Sequence, residues 1–363
     1  MQNPQFQVDR SAFFRNRINN IPQQDLTTSD GELLVQIEKF AYTANNITYA
    51  VAGDQIGYWQ FFPPAGEQAA GWGVIPVWGF TEVVESKVAD IPVGERLYGY
   101  FPPAKYLKMK PGKITDTRFI EASEHRLELP AGYNFYRRVN NEPHYDTSID
   151  QEMMLLFPLL LTAFCLWDAL KEKSWFDAQQ IIILSASSKT SIGLGYALKD
   201  DPDAPKVVGI TSARNLENVQ NLNLYDQSLT YDQLAEVANV PTVIVDMSGN
   251  AKVLATLHTQ LGDNMKFTSN VGLTHWTDAK PQPGIIAERS KFFFAPSRIQ
   301  KRMKEWGVTT FNQKTTGFML QTALKTRSWL TYRQLNGLIE LAAVHPDVCK
   351  GKMPSNEGLI VNL

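Results

Sequence analysis

Cysteine is nearly missing: Cys165 and Cys349 are the only two in 363 residues. That excludes a disulfide framework and suits a reducing compartment. Histidine is sparse as well. His125, His144, His258, His275 and His345 stand apart, with no H-x-x-x-H, C-x-x-C or H-E-x-x-H spacing to gather the three or four ligands zinc takes, so no metal is expected. Charge of one sign is lacking too. The net charge of −2 builds no field for nucleic acid or an acidic membrane surface. The longest apolar run, residues 153–166, holds Pro158 and is too short to span a bilayer. The opening M-Q-N-P-Q-F-Q-V-D-R has no apolar signal segment, so a cytoplasmic protein with no membrane partner is expected. No G-x-S-x-G elbow marks a serine hydrolase. What remains is 44% hydrophobic and 20% charged, the balance of a soluble chain long enough for two domains.

The chain is organised around Q-I-I-I-L-S-A-S-S-K-T-S-I-G-L-G-Y-A-L, residues 180–198. Four apolar residues, 181–184, stop at Ser185, and small polar residues lead into a helical segment. A continuous apolar run is the mark of a strand covered on both faces, as in a parallel sheet. A turn from such a strand into a helix aims free N–H groups at whatever lies beyond, and anions collect there. Ser187, Ser188, Lys189, Thr190 and Ser191 are therefore candidate phosphate-binding residues, against the alternative of an ordinary turn with capping serines. A P-loop is not supported, because Ile183 and Ser188 stand where G-x-x-x-x-G-K-[ST] requires glycine. Ser185, Ser188 and Ser191 recur at the spacing of a glycine-rich dinucleotide turn, with serine as the next smallest residue that carries a donor.

Residues 1–150 read as β-rich. The segment 32–41 alternates apolar and polar residues, 42–54 is a polar and aromatic connection, and Gly and Pro punctuate the short strand-like runs that follow. After an apolar helical stretch over 150–171, strands are predicted at 181–184, 206–211, 242–246 and 265–271, with helix-length pieces between. That βαβα order implies a parallel sheet covered by helices on both faces. Residues 299–325 read as helical and the closing E-G-L-I-V-N-L as a strand. The second strand ends in Thr211, Ser212 and Arg214 with no acid. An acid there would accept from the ribose hydroxyl of NAD; hydroxyls and a guanidinium suit the 2′-phosphate of NADP instead. A polar loop with one solvated arginine is the alternative.

The order of these parts resembles the medium-chain dehydrogenase/reductase superfamily. G-E-L-L-V-Q-I-E-K-F-A-Y-T-A-N-N is similar to that family's opening strands, I-P-V-G-E-R-L-Y-G to its v-G-D-R-V turn, V-D-M-S-G to a later strand end, and N-V-G-L to the stretch lining the nicotinamide. The zinc-ligand G-H-E motif is missing, so the chain is most similar to the zinc-free, quinone-oxidoreductase-like group. The whole pattern, with S-S-K-T-S and F-F-F-A-P, looks like a branch catalogued only as a domain of unknown function.

The resemblance implies an α/β fold: a Rossmann doubly wound parallel sheet over 151–300, plus a β-rich GroES-like (chaperonin-like) catalytic domain formed by 1–150 and 301–363. It implies NADP as cofactor, with Ser248, Val271 and Gly272 beside Ser187–Ser191, Ser212 and Arg214. It also implies a small-molecule substrate, no nucleic acid and a homodimer. Candidate substrate-oxygen donors are Asn46, Tyr49 and Tyr98 or Tyr100, with Thr162 near the nicotinamide by analogy. Buried aromatic packing and a threonine bonded to its own helix are the competing expectations for the tyrosines and Thr162. The expected activity is zinc-independent, NADPH-dependent reduction of quinones or conjugated enones and alkenals. The alternative is a non-catalytic binding or scaffold protein whose cofactor turn has degenerated.

Overall fold

The computed structural model describes residues 3–66, 68–142, 145–272 and 283–363; His144, Leu273 and His275 lie outside them. The described strands are β1 Pro4–Asp9, β2 Ala12–Asn20, β3 Leu33–Tyr42, β4 Trp72–Gly73, β5 Val77–Ser86, β6 Arg96–Phe101, β7 Tyr106–Met109, β8 Pro111–Gly112, β9 Arg118–Glu121, β10 Phe135–Arg138, β11 Gln180–Leu184, β12 Lys206–Thr211, β13 Gln227–Thr230, β14 Thr242–Asp246, β15 Met265–Asn270, β16 Ser290–Phe292, β17 Thr331–Asn336 and β18 Glu357–Asn362. The helices are α1 Ala44–Val51, α2 Tyr58–Phe61, α3 Asp150–Glu172, α4 Lys189–Lys199, α5 Leu216–Asn221, α6 Ala251–Leu261, α7 Ala295–Trp306, α8 Val308–Thr326 and α9 Gly337–Cys349.

The chain forms two compact units, one of Met1–Leu155 with Leu330–Leu363, the other of Leu156–Trp329. The first carries a nine-stranded sheet, ordered β17-β18-β3-β5-β6-β10-β9-β8 with β7 also on β3, and a three-stranded sheet, β2-β1-β4. Its alternating strands turn Leu33, Val35, Ile37, Phe80, Tyr98 and Tyr100 into a core rich in rings. Gly99 is needed there, since a Cβ would meet the Tyr136 ring at 2.4 Å. Within the polar and aromatic connection 42–54 lies α1. Its start is a capping box: Thr43 accepts from the helix backbone, while the Asn46 side chain accepts from Thr43 N. Asparagine in place of Glu or Gln hid that signal.

The second unit is a six-stranded parallel sheet in the order β13-β12-β11-β14-β15-β16, doubly wound as expected. Its apolar runs are explained by burial on both faces. Ile181, Ile183, Val243 and Val245 pack with Ala163, Leu166 and Leu170 of α3 and Leu194 and Leu198 of α4. Ile182, Leu184, Val208, Ile210 and Ile244 pack with Val253, Leu254, Leu257 and Leu261 of α6. The span Thr147–Glu172 is long and apolar enough to cross a membrane by length and composition alone, and it is mostly buried within the protein. Four successive non-glycine residues, Ser174 to Asp177, enter β11 in left-handed backbone, φ 48° to 56°. Each costs roughly 1–2 kcal/mol, which burial of Trp175 and the stacking of Phe176 on Phe267, 4.3 Å apart at 7°, help to offset.

The sequence reading ended this unit at residue 300; the structure keeps 301–329 within it. The reason is polar. Arg298 and Arg302 of α7 both bind the buried Asp168 carboxylate of α3, with Nε–Oδ2 distances of 2.6 and 2.7 Å. Trp329 Nε1 then donates to Tyr196 Oη at 3.1 Å, fixing the end of the segment against α4.

Candidate functional site

The strand-to-helix turn after β11 is built as expected and equipped differently. Helix α4 begins at Lys189, and Ser188 is its N-cap with extended backbone (φ −71°, ψ 146°). The Ser188 hydroxyl accepts from Ser191 N at 3.1 Å and lies 2.8 Å from the Ser191 hydroxyl. The two serines expected to face a phosphate thus face each other. Ser187 accepts from Thr211 Oγ1 at 3.1 Å and from Asn215 Nδ2 at 3.0 Å, which ties the turn to the end of β12. Two tyrosines hold its backbone: Ser185 N donates to Tyr231 Oη at 3.1 Å, and Tyr225 Oη donates to Ala186 O at 2.7 Å. Ser212 follows β12 half-buried, and Arg214 is exposed beside it. Lys189 and Thr190, on the first turn of α4, are half-buried.

Next to this turn, Asp246 knots together the ends of β14 and β15. Its carboxylate Oδ1 accepts from Ser248 N, Ser248 Oγ and Gly249 N at 2.8, 2.7 and 3.0 Å. Its carbonyl accepts from Val271 N and Gly272 N at 2.9 and 3.0 Å. Gly272 tolerates no side chain, because a Cβ would sit 2.7 Å from Met247 O. The Asp246 carboxylate is committed to its own loop. Among the described residues, no group of three or more His, Cys, Asp or Glu converges as metal ligands would.

The residue paired with Asp246 across the sheet is Asn270. It is 1% exposed, and neither its Nδ2 nor its Oδ1 has a hydrogen-bond partner. Leaving buried polar groups unmet costs about 1–3 kcal/mol each, and native proteins rarely keep them without a ligand or water to satisfy them.

In the first unit, the expected substrate-facing donors divide into two kinds. Asn46 donates to Pro76 O at 2.9 Å and caps α1. Tyr98 is buried and donates to Met153 O at 3.0 Å. These side chains are engaged by the fold. So is Thr162 of the second unit, whose hydroxyl donates to Pro158 O at 2.9 Å, one turn back in α3. Tyr49 Oη accepts from Trp78 Nε1 at 3.2 Å and has its own proton to give. Tyr100 differs most: fully buried, with a hydroxyl that has no partner. It lies within a ring cluster of Tyr49, Phe61, Trp78 and Tyr133, at centroid distances of 4.8 to 5.6 Å. Burial pushes both phenols well above their ordinary range, and neighbouring tyrosines add to it, so both stay protonated.

A family model described as protein of unknown function (DUF2855) matches residues 40–354. The chain belongs to the DUF2855 family. Comparison with curated proteins gave no match. Solved structures supply the fold. This DUF2855 chain is similar to CurA from Vibrio vulnificus in complex with NADPH, at TM-score 0.64 and 14% identity over 99% of this chain and 98% of that one. It is similar to TarJ from S. aureus in complex with NADPH, at TM-score 0.56 and 9% identity over 100% and 99%. It is also similar to the quinone oxidoreductase from Coxiella burnetii, at 0.53 and 14% over both chains entire. The fold is that of the medium-chain dehydrogenase/reductases, a Rossmann sheet plus a β-rich GroES-like domain.

Within this DUF2855 fold, the sequence reading named Ser187–Ser191, Ser212, Arg214, Ser248, Val271 and Gly272, and all lie at the C-terminal ends of β11, β12, β14 and β15. It missed Tyr225, Tyr231 and Asn215, whose roles depend on contacts across the sheet ends. It also passed over Asn270 as a side chain, although the residue stood inside the quoted N-V-G-L.

Proposed function

We propose that this protein is an NADPH-dependent reductase of quinones or conjugated enones and alkenals that works without zinc. The observation that carries the reading is the orphaned Asn270 amide at the same sheet edge as the α4 N-terminus and the Arg214-bearing turn. Ligands of open α/β sheets bind beyond the carboxyl ends of the strands, where the strand order reverses. Here that reversal falls between β11 and β14, beside Ser187–Ser191 and Ser248.

The residues present fit a dinucleotide. The first turn of α4 and Lys189 suit the diphosphate, and Ser212 and Arg214, on a strand end 211–215 that carries no acid, suit a 2′-phosphate. Val271 and Gly272, pinned to Asp246, offer a flat backbone edge for a ring. When bound, NADPH supplies a hydride. The chain's own contribution to a substrate is a phenol that holds its proton: Tyr100, or Tyr49, would donate a hydrogen bond to a carbonyl oxygen as negative charge develops on it. A small-molecule substrate and a homodimer accompany this reading as its expectations.

A scaffold reading draws support from one feature, the mutual bond of Ser188 and Ser191, which spends one of the two hydroxyl protons within the turn. Titration decides between them. Purified protein should enhance and shift the fluorescence of added NADPH more strongly than that of NADH. NADPH should then be consumed with quinones or enones, equally well after dialysis against a chelator. Binding of neither dinucleotide would leave the scaffold reading in possession.

A further inference from the structure

We propose that the Asn270 side chain is the carboxamide-recognition point of this site, pairing its amide with the amide of a bound nicotinamide; this rests on the NADPH reading above. Around the end of β15 the backbone is already spent. Val271 N and Gly272 N donate to Asp246 O, and Asn270 O accepts from Phe293 N at 2.7 Å. The Ser248 and Gly249 N–H groups go to the Asp246 carboxylate. The Asn270 amide is the group left over, with both of its ends unmet although 99% of the residue is covered.

The chemistry of that residue selects the partner. An asparagine amide places an acceptor and a donor side by side. A phosphate or carboxylate could satisfy only Nδ2, and a cation only Oδ1. A primary carboxamide carries the same pair in the opposite order, so two antiparallel N–H···O bonds satisfy both ends at once. A single water could also bridge them, and that is the competing occupant. The Ser248, Gly249, Val271 and Gly272 N–H groups cannot supply the same recognition, because they donate to Asp246.

Three probes separate the possibilities: NADPH; its 3-acetylpyridine analogue, which keeps the acceptor but has a methyl group for the amide donor; and 2′,5′-ADP, which lacks the nicotinamide. Wild-type protein should bind NADPH about tenfold more tightly than the analogue. Asn270→Leu, close in shape but apolar, should lose about tenfold for NADPH, lose the discrimination against the analogue, and bind 2′,5′-ADP unchanged. Asn270→Asp, which keeps the acceptor but removes the donor, should weaken NADPH and the analogue alike, keep the discrimination between them, and bind 2′,5′-ADP unchanged, which gives a second test should the leucine variant not fold. Wild-type binding of NADPH with no loss in either variant would overturn the role of Asn270 and leave the reductase reading intact, with water as the occupant. Failure of wild-type protein to bind any of the three would overturn the reductase reading itself.

Discussion

The hydroxyls of Ser188 and Ser191 lie 2.8 Å apart, closed on each other at the first turn of α4. Glycine at either position would open the turn, but the two are not equivalent. Ser188 is also the N-cap, accepting from Ser191 N. Serine to glycine at an N-cap costs only a few tenths of a kcal/mol, whereas serine to alanine costs about 0.5–2 kcal/mol. Ser188→Gly should therefore leave stability almost unchanged, free Ser191 N for a ligand, and hold or strengthen NADPH binding. Ser188→Ala should lower the denaturation midpoint. A tenfold loss of NADPH affinity in the glycine variant would mean that the hydroxyl itself contacts phosphate.

Arg214 is exposed on the short helical turn Ala213–Asn215 after β12. A charge-assisted hydrogen bond to phosphate is worth about 1.5–3 kcal/mol. Arg214→Ala should weaken NADPH at least about tenfold and leave NADH nearly untouched, as read by parallel titrations. Equal losses for both cofactors would remove Arg214 from 2′-phosphate recognition.

How far the sequence could be read follows from where the information sits. Ile181 to Leu184 announced a doubly covered strand because all its residues are apolar, and the two cores on either face of the sheet bear that out. The same logic placed a turn into a helix after that strand, and the structure sets its N-cap at Ser188. That logic could not say that Ser188 would bond Ser191, since helical geometry brings residues three apart together whether or not a ligand competes. Asn46 and Tyr98 were attractive donors by resemblance; only three-dimensional partners, Pro76 O and Met153 O, show their polar atoms engaged. Tyr98 and Tyr100 are alternate residues of one strand with similar burial, and nothing local distinguishes the satisfied hydroxyl from the orphan. Asn270 is legible only as an absence of partners, which no pattern along a chain records.

His258 is the basis of an acid-stability prediction. Its Nδ1 accepts from Ile286 N at 3.0 Å, so Nε2 carries the proton and donates to Thr268 Oγ1 at 2.9 Å. Burial pulls its pKa down to about 4. The unfolded chain takes up this proton near the ordinary value of 6.5, the folded chain only near 4. Stability from this group is therefore complete above 6.5 and falls as pH drops from 6.5 to 4, by at most ~1.4 kcal/mol per pH unit. Urea unfolding of wild type and His258→Gln across pH 4–7.5 should show a steeper acid loss in the wild type. Parallel profiles would count against a neutral, buried His258.

Tyr98 and Tyr100 give the sharpest separation between a hydroxyl that holds the fold and one left for chemistry. Both rings are buried in the same sheet, but Tyr98 Oη donates to Met153 O and Tyr100 Oη meets nothing. Tyr98→Phe deletes a buried hydrogen bond and should destabilise by about 0.5–1.5 kcal/mol. Tyr100→Phe deletes an unmet polar group and keeps the ring contacts with Tyr49, Phe61, Trp78 and Tyr133. It should leave stability unchanged or raise it. If Tyr100 donates to a substrate oxygen, its phenylalanine variant should lower kcat by about ten- to a hundredfold while NADPH affinity stays the same, since side-chain proton donors contribute on that order or more. Tyr98→Phe should leave kcat near wild type. The opposite result, activity lost with Tyr98 and kept without the Tyr100 hydroxyl, would return the donor role to the residue that the fold already employs and leave the unmet phenol to a buried water.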